Sequence, residues 1–343
     1  MSGKVAAIGA EAFAAKLTAA VTRHVGEPGT IGDLQRLTGG ATKETWLFSA
    51  EIAGRSIPLV LQLSTPRVPL APDDALAALP RVVGQDDAAL MIVAAAAGVP
   101  APPIRAVLTP EDGLGAGYIM AFVPGETIAR RILREPQFAA LRADFAEQCA
   151  AILARIHRLD AAALPFLQPC GAAEQIELYR RVYDALGHPQ PVIELGLRWA
   201  EMHLPRRRRN AVVHGDFRLG NLICAEDRIA AVIDWELAVL GDPVQDLGWL
   251  CVKTWRFGGP APVGGMGRRE ALLAAYERAG GSAVDAEDLR FWEAFGSIKW
   301  AIMCLMKGLE HRRTGRRSLE QLAIGRRMEE PLHDFLQLLQ GED

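Results

Sequence analysis

The 343-residue chain has little that would tie it to a membrane, a metal cage or an oxidising compartment. Its five cysteines, Cys149, Cys170, Cys224, Cys251 and Cys304, stand at least 21 residues apart. Neither a disulfide framework nor a CxxC-type metal or redox site is therefore expected. No apolar run approaches the roughly 18 residues a spanning helix needs. The longest, Ala88 to Val99, has 12 and includes four consecutive alanines and a glycine. Near the N-terminus Glu11 and Lys16 interrupt an alanine-rich pattern that lacks the continuous apolar core of a signal peptide. A cytoplasmic setting is expected. Excess positive charge is missing too: 38 Lys and Arg face 41 Asp and Glu, a formal charge of -3. No global field then draws the chain to nucleic acid or an anionic membrane. The expected partner is a small molecule, with no nucleic acid and no membrane, and the oligomeric state stays open. Internal repeats and low-complexity linkers are also lacking.

Hydrophobic residues make up 50% and charged residues 23% of the chain, the balance of a globular protein. The length suits two domains or one bilobal unit. Apolar periodicity predicts a leading helix over 11–25 that stops at Gly26-Glu27-Pro28-Gly29. Strand patterns follow at 34–37, 46–50 and 59–63, joined by turn residues into antiparallel hairpins. Residues 66–81 show no periodicity and predict a loop, 85–97 predicts an alanine-rich helix, and 118–123 a buried strand ending at Pro124-Gly125. Beyond that, Phe138, Leu141, Phe145, Cys149, Ile152, Ile156 and Leu159 recur at spacings of 3 and 4, one face of a long core helix. Short β segments are expected at 211–213 and 229–233, and helices near 268–280, 285–308 and 318–340.

The chemistry concentrates in His214-Gly215-Asp216-Phe217-Arg218-Leu219-Gly220-Asn221, then Ile233-Asp234-Trp235-Glu236, then Gly241-Asp242-Pro243-Val244-Gln245-Asp246. A strand ends, a loop presents Asp216, Asn221 follows five residues later and Asp234 thirteen beyond that. Phosphoryl transfer needs such a set, because a hydroxyl must be oriented while divalent metal is held on nucleotide phosphates. Asp216 would accept the hydrogen bond of the attacking hydroxyl. Asn221 and Asp234 would offer oxygen ligands to Mg²⁺, a hard cation. His214 would brace the loop rather than titrate. Taken singly, each residue reads as an ordinary turn or cap residue.

Jointly the motifs resemble the aminoglycoside phosphotransferase/choline kinase-like family, small-molecule relatives of protein kinases. The wording HGDFRLGN and DWELAxLGDP is closest to the kinase-like domains found beside or fused to acyl-CoA dehydrogenases. The resemblance implies an α+β, bilobal protein-kinase-like fold: an N-lobe over 1–124 with a five-stranded antiparallel sheet and a helical C-lobe over 125–343, with ATP and Mg²⁺ between them. It makes Thr38 to Thr45, with Gly39, Gly40, Ala41 and Thr42, the nucleotide-covering loop and Ala121 to Val123 the strand whose backbone pairs with adenine. Arg218, Glu236 and Asp246 become supporting residues, with Asp246 bracing the catalytic loop, and Asp242 a turn or cap residue.

The chain departs from that pattern on its third strand. Neutral Gln62 stands where a Lys or Arg should meet the phosphates, and the following helix offers Asp86 or Asp87 in place of Glu. Nucleotide binding is expected to suffer unless Arg67, Lys43 or another base reaches in. The expected function is ATP- and Mg²⁺-dependent phosphorylation of a hydroxyl on a small metabolite, hydroxyacyl or otherwise anionic. A silent nucleotide-binding protein, an aminoglycoside kinase and a metallohydrolase using His214, Asp216 and Asp234 are the alternatives. The anionic preference rests on 299–327, where eight bases, among them Lys299 and Arg327, face two acids. Arg206 to Arg209 is expected to be a surface loop, and the tryptophans of the second half core residues or pocket walls.

Overall fold

The computed structural model describes residues 9–26, 28–37, 43–65, 74–315 and 318–341. The chain divides into two compact units, Met1–Arg67 with Arg81–Pro124, and Val68–Pro80 with Gly125–Asp343.

The first unit is a five-stranded antiparallel sheet and two helices. Helix α1 (Ala10–His24) precedes β1 (Pro28–Leu37), β2 (Lys43–Ile52) and β3 (Arg55–Ser64). Helix α2 (Gln85–Ala96) then leads to β4 (Ile104–Val107) and β5 (Gly117–Ala121), and the spatial order is β1-β2-β3-β5-β4. The 3.6-residue period of α1 turns Phe13, Leu17, Ala20 and Val21 into the sheet, against Phe48, Leu59, Leu61 and Ile119. Each large side chain buried there contributes about 1.5–3 kcal/mol. Strand β4 was not visible in the sequence, because four residues between prolines and a turn carry too little pattern. In the predicted loop 66–81, residues 74–81 hold a 3-10 turn, Ala75–Ala78, whose Leu76 N–H is capped by Asp74 Oδ1 at 2.9 Å.

The second unit is mainly helical: α3 (Ala129–Arg134), α4 (Ala139–Ile156), α5 (Ala172–Leu186), α6 (Pro191–Met202), α7 (Val244–Cys251), α8 (Arg269–Arg278), α9 (Ala286–Thr314), α10 (Leu319–Arg326) and α11 (Glu329–Gln340). Two antiparallel ribbons interrupt them, β6 (Ala211–Val213) with β9 (Val239–Gly241) and β7 (Leu222–Cys224) with β8 (Ile229–Val232). The predicted core face of α4 is buried from Leu141 to Ile156, while Phe138 lies just before the helix and Leu159 just after it. The helix expected over 318–340 is two helices. At Arg327 and Met328 the bonds shorten to the i−3 type, and the Arg327 guanidinium crosses the break to Glu330 at 2.7 Å. Among the described residues, no helix is long and apolar enough to cross a membrane.

Helix α7 carries Asp246 and is buried along its whole length. It can pack that closely on α9 because residue 248 is glycine: a Cβ there would lie 2.5 Å from Trp292 Cβ and 2.8 Å from its carbonyl carbon. Gly248→Ala should therefore destabilise the protein by about 1–3 kcal/mol through overpacking. Urea denaturation should show a lower midpoint with an unchanged slope; an unchanged midpoint would contradict the packing described.

Candidate active site

Strand β6 hands the chain to the loop 214–221, and Asp246 in the first turn of α7 shapes that loop. Its Oδ2 accepts the His214 N–H at 2.8 Å and its Oδ1 the Gly215 N–H at 2.9 Å. His157, at the end of α4, adds Nε2 to Oδ2 at 3.1 Å, and its Nδ1 meets the Tyr276 hydroxyl at 2.7 Å. Burial pushes the Asp246 carboxyl up, but the hydrogen bond and charge of His157, with the field and N–H of His214, outweigh it and hold the group below the usual range. Gly215 sits at φ +80°, and a Cβ there would lie 2.2 Å from the Leu237 carbonyl oxygen, so the tight exit from β6 requires glycine.

His214 accepts the Asp216 N–H on Nδ1 at 3.2 Å, which leaves Nε2 protonated and donating to the Ile233 carbonyl at 3.2 Å. Burial pushes its pKa down. The ring is a neutral brace with both nitrogens engaged, so it is not available as a metal ligand. The metallohydrolase alternative thereby loses His214 from its ligand set, and among the described residues no three His, Cys, Asp or Glu side chains gather as a metal site.

Asp216 is held from three sides. Arg218 Nε reaches Oδ1 at 3.0 Å, Trp249 Nε1 reaches Oδ1 at 2.7 Å, and Asn221 Nδ2 reaches Oδ2 at 2.7 Å and the Asp216 carbonyl at 2.9 Å. Committing Nδ2 in this way leaves Asn221 Oδ1, the atom a hard cation takes, without a protein donor among the described residues. The Asn221 carbonyl accepts the Ile233 N–H at 3.0 Å, which ties the loop to the residue before Asp234. Asp234 adopts the left-handed conformation, φ 66° and ψ 60°, a strained state for a non-glycine residue of the kind found where a side chain is aimed for function. An amide oxygen and a carboxylate fit Mg²⁺, which keeps waters and takes phosphate oxygens beside a few protein ligands. Glu236 follows in the 3-10 turn Trp235–Leu237. Asp242 caps α7 through the Val244 N–H at 3.0 Å, and its carboxyl is raised by burial.

Sequence reasoning missed two neighbours of Asp216. Trp249 was read only as a core residue or pocket wall, and Lys299 only as one base in a charged stretch. Lys299 is buried in α9, with Nζ 5.0 Å from the Trp249 ring centroid and 5.6 Å from that of Tyr179. Burial pushes its pKa down, and Asp216, Cys170 and Asp246 pull the other way. Only its spacing on a buried helix face could have signalled this. The basic stretch is thus no single surface: Lys299 faces inward, Arg327 pairs with Glu330, and Arg316 and Arg317 lie outside the described residues. Arg209 also departs from the surface-loop expectation, since it is mostly buried and pairs with Asp288 at 2.8 Å.

In the first unit, Gly39, Gly40, Ala41 and Thr42 lie outside the described residues, as does Arg67. The Ala121 N–H donates to the Pro103 carbonyl at 2.9 Å, whereas the Val123 N–H has no protein acceptor among the described residues. Gln62 is engaged by Tyr118, whose hydroxyl also donates to Asp87 Oδ2 at 2.8 Å. The same Asp87 oxygen accepts from Lys43 Nζ at 2.7 Å, so the acid of α2 is paired with a lysine of β2.

The sheet and helices of the first unit and the Asp216 loop, metal-suited pair and bracing acid of the second define a kinase-like fold. The solved structures agree. This chain aligns over 96% of its length with 98% of a Ralstonia eutropha protein assigned to the aminoglycoside phosphotransferases, at TM-score 0.70 and 22% identity. A spectinomycin phosphotransferase bound to ADP and spectinomycin aligns with 95% of this chain and 98% of its own, at TM-score 0.63 and 14% identity. Residues 33–295 match the phosphotransferase enzyme family, and the chain belongs to that family. It is also 33% identical over 175 residues to acyl-CoA dehydrogenase family member 10 of Mus musculus, a match covering 48% of this chain and 16% of the mouse protein.

Both buried shifts at the loop give stability the same pH dependence. Asp246 is lowered, so its contribution is present above the ordinary carboxylate value of 3.8 and lost as pH falls through its folded value. His214 is lowered from 6.5, so below that pH the unfolded chain takes a proton the folded one refuses. Asp246→Asn should cost about 3–5 kcal/mol at neutral pH, the loss expected on breaking a buried charged network. It should also flatten the acid limb of a stability-against-pH curve measured by urea denaturation. An acid limb identical to that of the unmodified protein would contradict this account of the loop.

Proposed function

We propose that the chain is an ATP- and Mg²⁺-dependent phosphotransferase acting on a hydroxyl of a small metabolite, hydroxyacyl or otherwise anionic. The observation that carries this reading is the acceptor count at Asp216. A carboxylate offers about four lone-pair positions. Arg218 and Trp249 take two on Oδ1 and Asn221 takes one on Oδ2, which leaves one on Oδ2 for an incoming hydroxyl. Held there, the hydroxyl oxygen forms its bond to the γ-phosphorus while the bond to ADP breaks, and its proton passes late to Asp216. Mg²⁺ at Asn221 and Asp234 would neutralise charge on the phosphates. The backbone of Ala121 and Val123 suits adenine, since the Val123 N–H has no protein acceptor among the described residues. The fold shared with the ADP-bound spectinomycin enzyme supports nucleotide use.

The charge around Asp216 supports an anionic acceptor. Arg218 lies against it with its guanidinium 4.6 Å from the Trp255 ring centroid, and Lys299 stands behind Trp249. Two cations and aromatic walls suit a carboxylate or phosphate on an apolar chain, whereas a polyamine such as an aminoglycoside would meet like charge.

Asp216→Asn should lower kcat about 10²–10⁴-fold, the usual worth of a general base, and leave nucleotide affinity in place. Assays of ADP release against hydroxyacyl-CoAs, amino alcohols and aminoglycosides would read this, and undiminished turnover would remove Asp216 from its role. Lys299 is charged below its lowered pKa, so KM for an anionic acceptor should rise with pH before the ordinary lysine value of 10.5 is reached. Lys299→Met should raise KM and abolish that pH dependence. A variant with the unmodified profile would overturn the anionic reading.

A further inference from the structure

The third strand, where a kinase-like fold carries its phosphate-binding cation, has no cation at the matched position in this chain. The one base of β3 is Arg55, exposed at its start, and position 62 is glutamine. The cation is instead one strand away. The antiparallel register sets Lys43 opposite Ser64, Thr45 opposite Gln62, and Gln62 opposite Tyr118. Side chains alternate along a strand, so Lys43, Gln62 and Tyr118 share one face of the sheet, with Lys43 and Gln62 as diagonal neighbours within reach of long side chains. Asp87 of α2 meets that face. Its Oδ2 takes the Lys43 ammonium at 2.7 Å and the Tyr118 hydroxyl at 2.8 Å, with the lysine and aspartate side chains 6% and 1% exposed.

We propose that Lys43 is the cation that holds the nucleotide phosphates, moved from the third strand to the second, with Asp87 orienting it and Tyr118 fixing Asp87. Three observations support the assignment, which rests on the phosphotransferase reading above. A lysine paired with an acid on the next helix is the arrangement phosphoryl transfer uses to present a positive charge to phosphate oxygens. A buried ion pair adds little net stability over apolar residues of similar volume, so folding alone gives weak reason for one on this face. Lys43 also stands within Thr38 to Thr45, the segment that the resemblance matches to the nucleotide-covering loop, directly after Gly39-Gly40-Ala41-Thr42. Gln62 fits the same scheme, because a second cation at the diagonal position would repel the first. The neutral residue and the shifted lysine are two halves of one exchange.

The test is equilibrium binding of Mg·ADP and of adenosine, by calorimetry, to the unmodified protein, Lys43→Met, and Lys43→Met combined with Gln62→Lys. Removing Lys43 strands the buried Asp87 charge, whose Oδ1 has no hydrogen-bond partner among the described residues, so Lys43→Met with Asp87→Asn serves as a variant without a stranded charge. Lys43→Met, with or without Asp87→Asn, should weaken Mg·ADP binding at least ten-fold while adenosine binding is unchanged. Adding Gln62→Lys should recover most of the Mg·ADP affinity from the third strand. Equal loss of ADP and adenosine binding would mean a structural role and overturn the proposal, as would unchanged ADP affinity. An unmodified protein that binds no nucleotide would overturn the phosphotransferase reading itself, and this assignment with it.

Discussion

Two consecutive backbone N–H groups, those of His214 and Gly215, end on the two oxygens of one buried carboxylate, Asp246. The rest of the site follows from that contact. It sets the path of the chain as it leaves β6, the path brings the His214 ring under the Asp216 N–H, and the ring fastens to the strand that delivers Asp234. His157 and Tyr276 extend the network from Asp246 into α4 and α8. Burying a carboxylate is costly, and this one is tolerated because three donors satisfy it. Stability and the geometry of the candidate site therefore share one group, and acid should weaken both together.

Charge is placed with similar economy in each unit. In the second, Arg218, Trp249 and Asn221 restrain Asp216 and leave one acceptor position, while Lys299 adds a positive field through the aromatic layer. In the first, Lys43, Asp87 and Tyr118 make a polar cluster on the sheet face where the third strand carries neutral Gln62. The net charge of -3 hides both arrangements. Of the long basic stretch near the C-terminus, Lys299 is the base that lies buried beside Trp249 and Tyr179.

Local patterns made much of the fold legible from the sequence. The period of 3 and 4 residues through Leu141, Phe145, Cys149, Ile152 and Ile156 identifies α4, and alternation with turn residues identifies β2 and β3. The five-residue offset from Asp216 to Asn221 is likewise a local fact, and the loop that realises it closes within itself. What escaped depends on contacts between distant segments. Strands β4, β7 and β9 are three or four residues long and exist only through their partners. The burial of Lys299 is a property of helix packing, not of its neighbours in sequence. Lys43 became the partner of Asp87 only through the register of β2 on β3, which no single strand displays. The break between α10 and α11 does carry a local signal, Pro331 in the first turn of α11, which has no N–H to continue a helix back to Arg327 and which the single helix expected over 318–340 ran through.

The central claim is transfer of a phosphoryl group to an acceptor hydroxyl at Asp216. It is tested most directly by incubating the purified protein with Mg·ATP and a mixed panel of hydroxyacyl-CoAs, free hydroxy acids, amino alcohols and aminoglycosides, and by weighing every panel member by mass spectrometry. The account predicts one added phosphoryl group on a hydroxyl of an anionic member, and no such product with Asp216→Asn. Phosphorylation confined to the cationic members, or a product that persists in the variant, would contradict it.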